Sequence, residues 1–398
     1  MTKKLHIITH GCQMNVADSN LMAAHLQDRG MTLTGSREAA DLIILNTCSV
    51  RFDAEHKALS LIGALRPLKR AKPGLKIAVA GCAAQRLGKK LNKLFPFVDL
   101  VTGAKEIDRI AAVLDREFPP GCRPAPQIKR ARLPARAKES GAAAFVTVMR
   151  GCENFCSYCI VPHLRGPEAS RPAGEVIAEI EANAAAGYKE AVLLGQNVNS
   201  YNSGGLDFPG LLARANSVKG LERIRFMTSH PKDLGPGLIR AMAELEKVCG
   251  HLHLPLQSGS DAILAAMNRK YTAADYCALA GKLRDSVPGI SLTTDILVGF
   301  PGETEADFQK TLDLVNRLEF NSLFAFKYSP REGTAAFSLP ETATEGEKEE
   351  RLRRVEEAAD RLSRRKNAGL VGTVQHLLVE KTEKGRCTGR TRSNLKVF

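Results

Sequence analysis

Three cysteines constrain this chain more than any other feature. Cys152, Cys156 and Cys159 stand in the segment Met149-Arg-Gly-Cys-Glu-Asn-Phe-Cys-Ser-Tyr-Cys159, a C-x3-C-x2-C spacing. Three thiolates this close can hold three corners of a cubane iron–sulfur cluster. No fourth cysteine follows nearby. The fourth iron is then open to a ligand from outside the protein. The flanking Phe155 and Tyr158 suit a loop shielded from water. The plainer alternatives are a zinc loop or three unrelated buried thiols. Zinc sites usually close four ligands from paired C-x2-C units or Cys/His sets.

A chain of 398 residues should hold two or three domains. Its 44% hydrophobic and 25% charged residues read as an ordinary globular protein able to bury large cores. The formal net charge of +14 favours nucleic acid or another polyanion as partner; the alternative is a merely basic enzyme. Ten cysteines would suggest disulfides in a secreted chain. The N-terminus instead runs straight into a strand-like pattern, with no signal-peptide apolar region. No apolar run approaches the length of a membrane span. A cytoplasmic protein with clustered cysteines is expected, and there such cysteines point to metal or redox chemistry.

Short apolar runs alternate with amphipathic helices from the start. Strands are expected at Leu5–Thr9, Asp41–Thr47, Lys76–Ala80 and Asp99–Thr102. Helices are expected at Asp18–Arg29, from the second strand to about Arg70, at Ala83–Phe95 and at Glu106–Phe118. Such a rhythm indicates parallel βαβ units with both sheet faces covered. The expectation is an α/β chain opening with a doubly wound domain over 1–118. Residues 119–143 are rich in proline and basic side chains and read as a linker, with Cys122 incidental in it. From 144 the rhythm resumes, with strands at Phe145–Met149, Ala191–Leu194, Arg223–Thr228, Leu252–Leu256, Ser291–Val298 and Ser322–Tyr328. Six strands between helices suggest a partial (β/α)6 barrel, whose chemistry would sit at the strand carboxyl ends. Glu345–Asn367 is a highly charged helix closing a second domain at 369. Residues 370–398 are β-like, with a strand over Val371–Val379 and a turn at Lys384-Gly385. Twenty-nine residues are marginal for an all-β domain, which is then either incomplete or leans on the barrel.

Cys12, Cys48 and Cys82 each follow an expected strand, in Gly11-Cys12, Asn46-Thr47-Cys48 and Gly81-Cys82. Ligands of open α/β sheets gather at strand carboxyl ends, so three cysteines there can converge although distant in sequence. Gly11 and Gly81 would let the backbone turn close to a bulky group. Either these are buried structural thiols, as Cys often is, or they hold a second cluster.

These residues resemble one family closely. Gly11-Cys-Gln-Met-Asn15, Asn46-Thr-Cys-Ser-Val-Arg51, Gly81-Cys-Ala-Ala-Gln-Arg86 and Arg150-Gly-Cys-Glu-Asn-Phe-Cys-Ser-Tyr-Cys-Ile-Val-Pro162 look like segments of the radical S-adenosylmethionine (SAM) methylthiotransferases. So do Leu194-Gly-Gln-Asn-Val-Asn199, Thr228-Ser-His-Pro231, His253-Leu-Pro-Leu-Gln-Ser-Gly-Ser260, Thr294-Asp-Ile-Leu-Val-Gly-Phe-Pro-Gly-Glu-Thr304 and Tyr328-Ser-Pro-Arg-Glu-Gly-Thr334. The likeness covers nearly the whole chain and is greatest to the MiaB type, which acts on tRNA.

The resemblance implies an N-terminal methylthiotransferase domain, a radical SAM barrel and a small C-terminal RNA-binding β-domain called TRAM. It implies two [4Fe–4S] clusters, an auxiliary one on Cys12, Cys48 and Cys82 and a SAM-binding one on Cys152, Cys156 and Cys159. The open iron suits a cluster that must pass an electron to a bound sulfonium. The implied reaction is methylthiolation at C2 of N6-isopentenyladenosine beside the anticodon. SAM would serve as radical source and methyl donor, and an electron donor such as flavodoxin or ferredoxin would supply the reductant to a monomer. The target lies in a single-stranded loop, where a protein can splay out a base without opening a duplex. Gln196, Asn197, Ser229, His230, Gln257, Ser258 and Arg269 would line the barrel mouth, and some would touch SAM; each could instead satisfy a loop backbone.

Gln13-Met14 matches the tRNA-acting members; the relative that modifies a ribosomal-protein aspartate tends to carry Pro-Lys there. Three departures stand out: Pro167 replaces a usual basic residue, Phe52 a usual acid, and the stretch after Leu370 is about half a TRAM domain. Two alternatives remain: a sister enzyme acting on threonylcarbamoyladenosine or a protein side chain, and a non-catalytic iron–sulfur protein that binds RNA or carries electrons.

Overall fold

A computed structural model describes residues 3–49, 52–117 and 142–398. The expected linker, with Cys122, lies almost wholly outside the described residues.

The first sheet has five parallel strands, formed by Lys4–Thr9, Thr32–Leu33, Leu42–Thr47, Lys76–Gly81 and Leu100–Gly103. Counting them in chain order, their spatial order is 2-1-3-4-5. Every residue of Leu42–Thr47 is buried: the apolar run Leu42–Leu45 is covered on both faces, and the side chains of Asn46 and Thr47 are hydrogen-bonded inside. Leu42 and Ile44 face one side with Leu21, Met22 and Ile110. Ile43 and Leu45 face the other with Ile62, Ala84 and Leu91. Helices therefore cover both faces, as expected for a doubly wound domain. The strand order reverses between the first and third strands, so successive connections leave on opposite sides. A crevice opens there at the carboxyl ends.

Several helices differ from their expected spans. The first begins at Gln13 instead of Asp18, because Cys12 takes the extended cap conformation directly after the strand turn. The second is broken into Phe52–Ala64 and Arg66–Ala71, with Pro67 opening the second piece. The third is interrupted at Gly88, which has φ +47°. A short β-pair of Met149–Arg150 with Ala169–Ser170 was not legible in the pattern.

The six later strands fall into two parallel sheets. Glu190–Leu194 lies between Ala143–Thr147 and Arg223–Phe226. Ser291–Val298 lies between His251–His253 and Ser322–Lys327. The sheets meet where Ile224 bridges Val248 and the Cys249 amide donates to the Ile224 carbonyl at 2.8 Å. Helices between the strands bury one large core that includes Leu193, Phe208, Phe226, Leu252, Tyr276, Val298 and Phe308. Each such fully buried side chain contributes roughly 1.5–3 kcal/mol. Two of the helices open with capping boxes, Thr272 with Asp275 and Thr304 with Asp307.

The helix Gln13–Gln27 belongs to both halves of the molecule. Met14 and Ala17 pack against Ala143, Phe145, Val192, Leu194 and Met227. The first domain is thus docked on the strands of the second through the helix that starts at Cys12.

The tail forms a three-stranded antiparallel sheet, Leu377–Glu383, Arg386–Thr391 and Lys396–Val397. The expected strand over Val371–Val379 starts only at Leu377. The turn at Lys384-Gly385 has φ +48° and +76°, the conformation that suits a tight hairpin. Arg223 donates to the carbonyls of Arg390 and His376, at 2.8 and 3.0 Å. Arg225 donates to Arg392 and Thr391, at 3.2 and 3.1 Å, and pairs with Glu190 at 2.9 Å. Arg223 and Glu190 start their strands, so the tail sheet covers the end opposite the cysteine loop. No described helix is long and apolar enough to cross a membrane.

Two cysteine triads as the candidate functional site

Cys152, Cys156 and Cys159 lie on the loop that leaves the strand pair at Arg150. The Gly151 amide donates to Gln196 Oε1 at 2.7 Å, so Gln196 anchors the loop. The Ser157 amide and hydroxyl bond the carbonyls of Met267 and Ala266. Asn268 Nδ2 donates to the Phe155 carbonyl at 2.9 Å. Arg269, almost fully buried, donates to Cys156 Sγ at 3.2 Å, to the Pro255 carbonyl at 3.1 Å and to the Tyr271 hydroxyl at 2.9 Å. Asn154 donates to Cys152 Sγ at 3.4 Å. Burial, aided by Cys156, pushes the Cys159 thiol up to about 12. Burial also raises Cys152, with Glu168 and Cys156 adding to the effect. Crowded thiols of this kind ionise readily only when a cation compensates them, as ligation to iron would do.

The other expected residues separate into three kinds. Asn197 and Ser229 stand just past neighbouring strands, Glu190–Leu194 and Arg223–Phe226. Asn197 Nδ2 donates to Asp233 at 2.7 Å. Asn197 Oδ1 and Ser229 Oγ are buried and have no hydrogen-bond partner among the described residues. His230 and Ser258 are engaged locally. His230 Nδ1 accepts from the Lys232 amide at 3.2 Å, and burial, with Arg269 and Lys232, pushes its pKa down to about 2. It is therefore neutral. Ser258 Oγ lies 3.2 Å from Thr311 Oγ1 and accepts from the Ser260 amide. Gln257 holds its place through its backbone, donating to Asp295 and accepting from Leu297 at 2.8 and 2.9 Å. Its φ of +70°, like that of Thr228, is unusual for a residue with a side chain and is a strain concentrated at the strand ends.

Cys12, Cys48 and Cys82 follow the first, third and fourth strands of the first sheet, around the crevice. Cys12 is exposed, whereas Cys48 and Cys82 are buried. Gly11 has φ +139°, and a Cβ there would come 2.7 Å from Cys48 Cβ and 2.6 Å from Asn15 Oδ1. Gly81 has φ +96° and abuts the backbone of Thr47 and Asn46 Oδ1 just as closely. The two glycines thus draw three strand ends together. Asn15 and Asn46 lock the arrangement: Asn15 Nδ2 donates to Asn46 Oδ1 and the Thr47 carbonyl, both at 3.1 Å, and Asn46 returns a bond to the Asn15 carbonyl at 2.8 Å. Cys12 Sγ lies 3.3 Å from Asn15 Oδ1. Ser49, Glu55 and Arg86 form a second network behind Cys48 and Cys82. Burial raises the Cys82 thiol, Arg165 opposes that, and Cys48 and Cys12 add to it. The three sulfurs therefore share one electrostatic environment.

Among the described residues, no three His, Cys, Asp or Glu side chains converge as ligands of a single metal ion. A cubane spreads its ligating cysteines over separate irons, and both triads, each of three thiols with no fourth beside them among the described residues, fit that donor set.

The sequence reading missed the residues that join the triads. Cys82 packs against Ile160 and Leu164, directly after the Cys159 loop. Asp18, fully buried, pairs with Arg150 at 2.6 Å and Arg165 at 3.0 Å. These arginines stand just before Cys152 and just after Cys159. A signal existed: Asn15 and Asp18 sit one turn apart on a helix face otherwise made of Met14, Ala17, Leu21 and Met22. A buried acid needs a cation.

Residues 4–103 match the family described as UPF0004, an uncharacterized protein family, and residues 146–315 match the radical SAM superfamily. The tRNA-2-methylthio-N(6)-dimethylallyladenosine synthase of Caldicellulosiruptor saccharolyticus is 46% identical, the alignment covering 98% of this chain and 86% of that protein. The synthase of the same name from Geobacter metallireducens is 48% identical, over 99% and 91%. The fold is similar to that of the radical SAM methyltransferase TsrM from Kitasatospora setae, with a TM-score of 0.62 at 15% identity over 85% of this chain and 77% of that one. It is also similar to the cobalamin-dependent SAM radical enzyme OxsB, with a TM-score of 0.57 at 11% identity over 99% and 64%. The chain belongs to the tRNA-2-methylthio-N(6)-dimethylallyladenosine synthase family, within the radical SAM superfamily.

Proposed function

We propose that this protein adds a methylthio group to C2 of N6-isopentenyladenosine beside the anticodon of tRNA. One observation carries the reading. In a chain of this family, two cysteine triads stand at strand carboxyl ends on either side of the short segment 160–165. Cys152, Cys156 and Cys159 would hold the SAM-binding [4Fe–4S] cluster, and Cys12, Cys48 and Cys82 the auxiliary one. When bound, the clusters and SAM supply the radical that activates C2, the sulfur and the methyl group.

The chain's own residues bind, orient and shield. Asn197 Oδ1 and Ser229 Oγ have no hydrogen-bond partner among the described residues and are suited to the polar end of SAM. Arg269 donates to Cys156 Sγ and supports the cluster loop. His230 stays neutral and caps its own turn, so a positioning role fits it better than proton transfer. Gln196 and Ser258 hold loops rather than ligand, and Gln257 presents its side chain from a strained strand end.

In this reading the six later strands form an open (β/α)6 barrel and the tail sheet is TRAM-like. The reading divides the chain into domains at 1–118, 144–369 and 370–398, with a linker at 119–143. The net charge of +14 suits an RNA partner, with phosphate contacts dominating affinity. The protein would act as a cytoplasmic monomer served by flavodoxin or ferredoxin.

The test is anaerobic turnover of the reconstituted protein with isopentenylated tRNA, SAM and reductant, followed by mass spectrometry of the nucleosides. A 2-methylthio product is expected. Cys156→Ala should abolish SAM cleavage, whereas Cys48→Ala should retain cleavage and lose sulfur transfer. Deoxyadenosine without the product would redirect the substrate, for instance to threonylcarbamoyladenosine. Neither product, from protein carrying both clusters, would favour the non-catalytic alternative.

A further inference from the structure

Arg165 belongs to the SAM-cluster side by sequence and to the auxiliary side by position. It ends the helix Val161–Arg165 that follows Cys159, and its side chain is only 5% exposed. Nη2 donates to Asp18 at 3.0 Å. Nη1 is buried and has no hydrogen-bond partner among the described residues. Such a donor is costly unless an acceptor arrives. The surroundings say what acceptor to expect. Arginine stays protonated in proteins, Asp18 pairs with it at 3.0 Å, and Cys82 faces the same guanidinium. Leu164, one residue earlier, packs directly on Cys82.

We propose that Arg165 is a positioning residue of the auxiliary centre, donating Nη1–H to the anionic sulfur held at Cys12, Cys48 and Cys82, with Asp18 holding its other nitrogen. The inference rests on the reading that these three cysteines hold the auxiliary cluster. Asp18 sits on the helix that begins at Cys12, and it also binds Arg150 ahead of Cys152. One buried carboxylate thus fixes the arginine while tying the first triad to both flanks of the second. A cation in a low-dielectric site favours the more negative, reduced state of a neighbouring cluster. Arg165 therefore raises the auxiliary cluster's potential, and Asp18 moderates that effect.

The experiment uses the full chain with Cys152, Cys156 and Cys159 all changed to Ala, so that only the auxiliary cluster is reconstituted. Its potential is titrated by electron paramagnetic resonance. Arg165→Gln should shift the potential to more negative values, Arg165→Lys should shift it much less, and Asp18→Asn should shift it the opposite way. A merely structural role would not produce opposite signs. An unchanged potential in Arg165→Gln overturns the proposal. If Arg165→Gln does not assemble, an unchanged or lowered potential in Asp18→Asn overturns it. Failure of the underlying reading looks different: the parent chain would bind no cluster, or Cys48→Ala would leave its iron content intact.

Discussion

Replacing Gly11 by Ala tests whether close packing of strand ends, rather than the cysteines alone, makes the first triad. The new Cβ would lie 2.7 Å from Cys48 Cβ and 2.6 Å from Asn15 Oδ1, and the backbone would hold Ala at φ +139°. A non-glycine residue in such a region costs on the order of 1–3 kcal/mol. Overpacking against Cys48 and Asn15 costs about 1–3 kcal/mol more. The sum, about 2–6 kcal/mol, falls on the strand end that carries Cys12 and is enough to move it away from Cys48. Gly30→Ala is the control, since Gly30 has φ +83° but no atom within 4 Å of its would-be Cβ. It carries the backbone cost without the clash. Iron and sulfide are measured in the anaerobically reconstituted full chain, and hydrogen exchange follows residues 4–49. Gly11→Ala should lose the iron of one cluster and exchange faster through strand Lys4–Thr9, while Gly30→Ala keeps its iron. Full iron in Gly11→Ala, or equal loss in Gly30→Ala, would refute the steric argument.

Three further outcomes are expected. His230 and His251 are held neutral by burial, with pKa values pushed down to about 2 and 3. The unfolded chain takes up a proton at each near pH 6.5 and the folded chain does not, so stability is full above that pH. It should fall as pH drops from 6.5 towards 3, by about 1.4 kcal/mol per unit for each histidine, and denaturant unfolding at pH 6.5 and 5 should show it. Arg225→Met leaves Glu190 buried without its cation, at a cost of about 3–5 kcal/mol, and frees the carbonyls of Thr391 and Arg392. Limited proteolysis should then remove the tail sheet, and adding Glu190→Gln should restore part of the stability. Arg269→Lys cannot reach Cys156, Pro255 and Tyr271 together. It should slow deoxyadenosine formation by about 10–100-fold while the cluster iron is retained.

Local rules made much of the molecule legible. Short apolar runs such as Leu42–Leu45, set between amphipathic helices, suit strands buried on both faces, so the doubly wound sheet was legible from pattern. Boundaries were less legible. Pro67 and Gly88 split helices whose apolar spacing runs on, and Cys12 starts a helix earlier than its composition suggests. At the tail, Val371 and Val374 have strand-forming side chains but are 84% and 89% exposed and unpaired with the sheet. β-propensity without a partner strand does not make a strand.

The sequence by itself pointed to the chemistry. One set of three cysteines at C-x3-C-x2-C spacing and another just past three expected strands both suit iron–sulfur ligation, because thiolate number and spacing decide what they can ligate. Only the tertiary structure decided how the sets are related. Asp18 looks like a surface acid in a helix, yet it is buried between Arg150 and Arg165, more than 130 residues away along the chain. It likewise divided the expected mouth residues: Asn197 and Ser229 have atoms unpaired among the described residues, while Gln196 and Ser258 support loops. Which side chains meet across domains depends on the docking of the helix Gln13–Gln27 on the strands of the second domain. That docking follows from the fit of Met14 and Ala17 against Val192 and Leu194, a three-dimensional complementarity that no local spacing encodes.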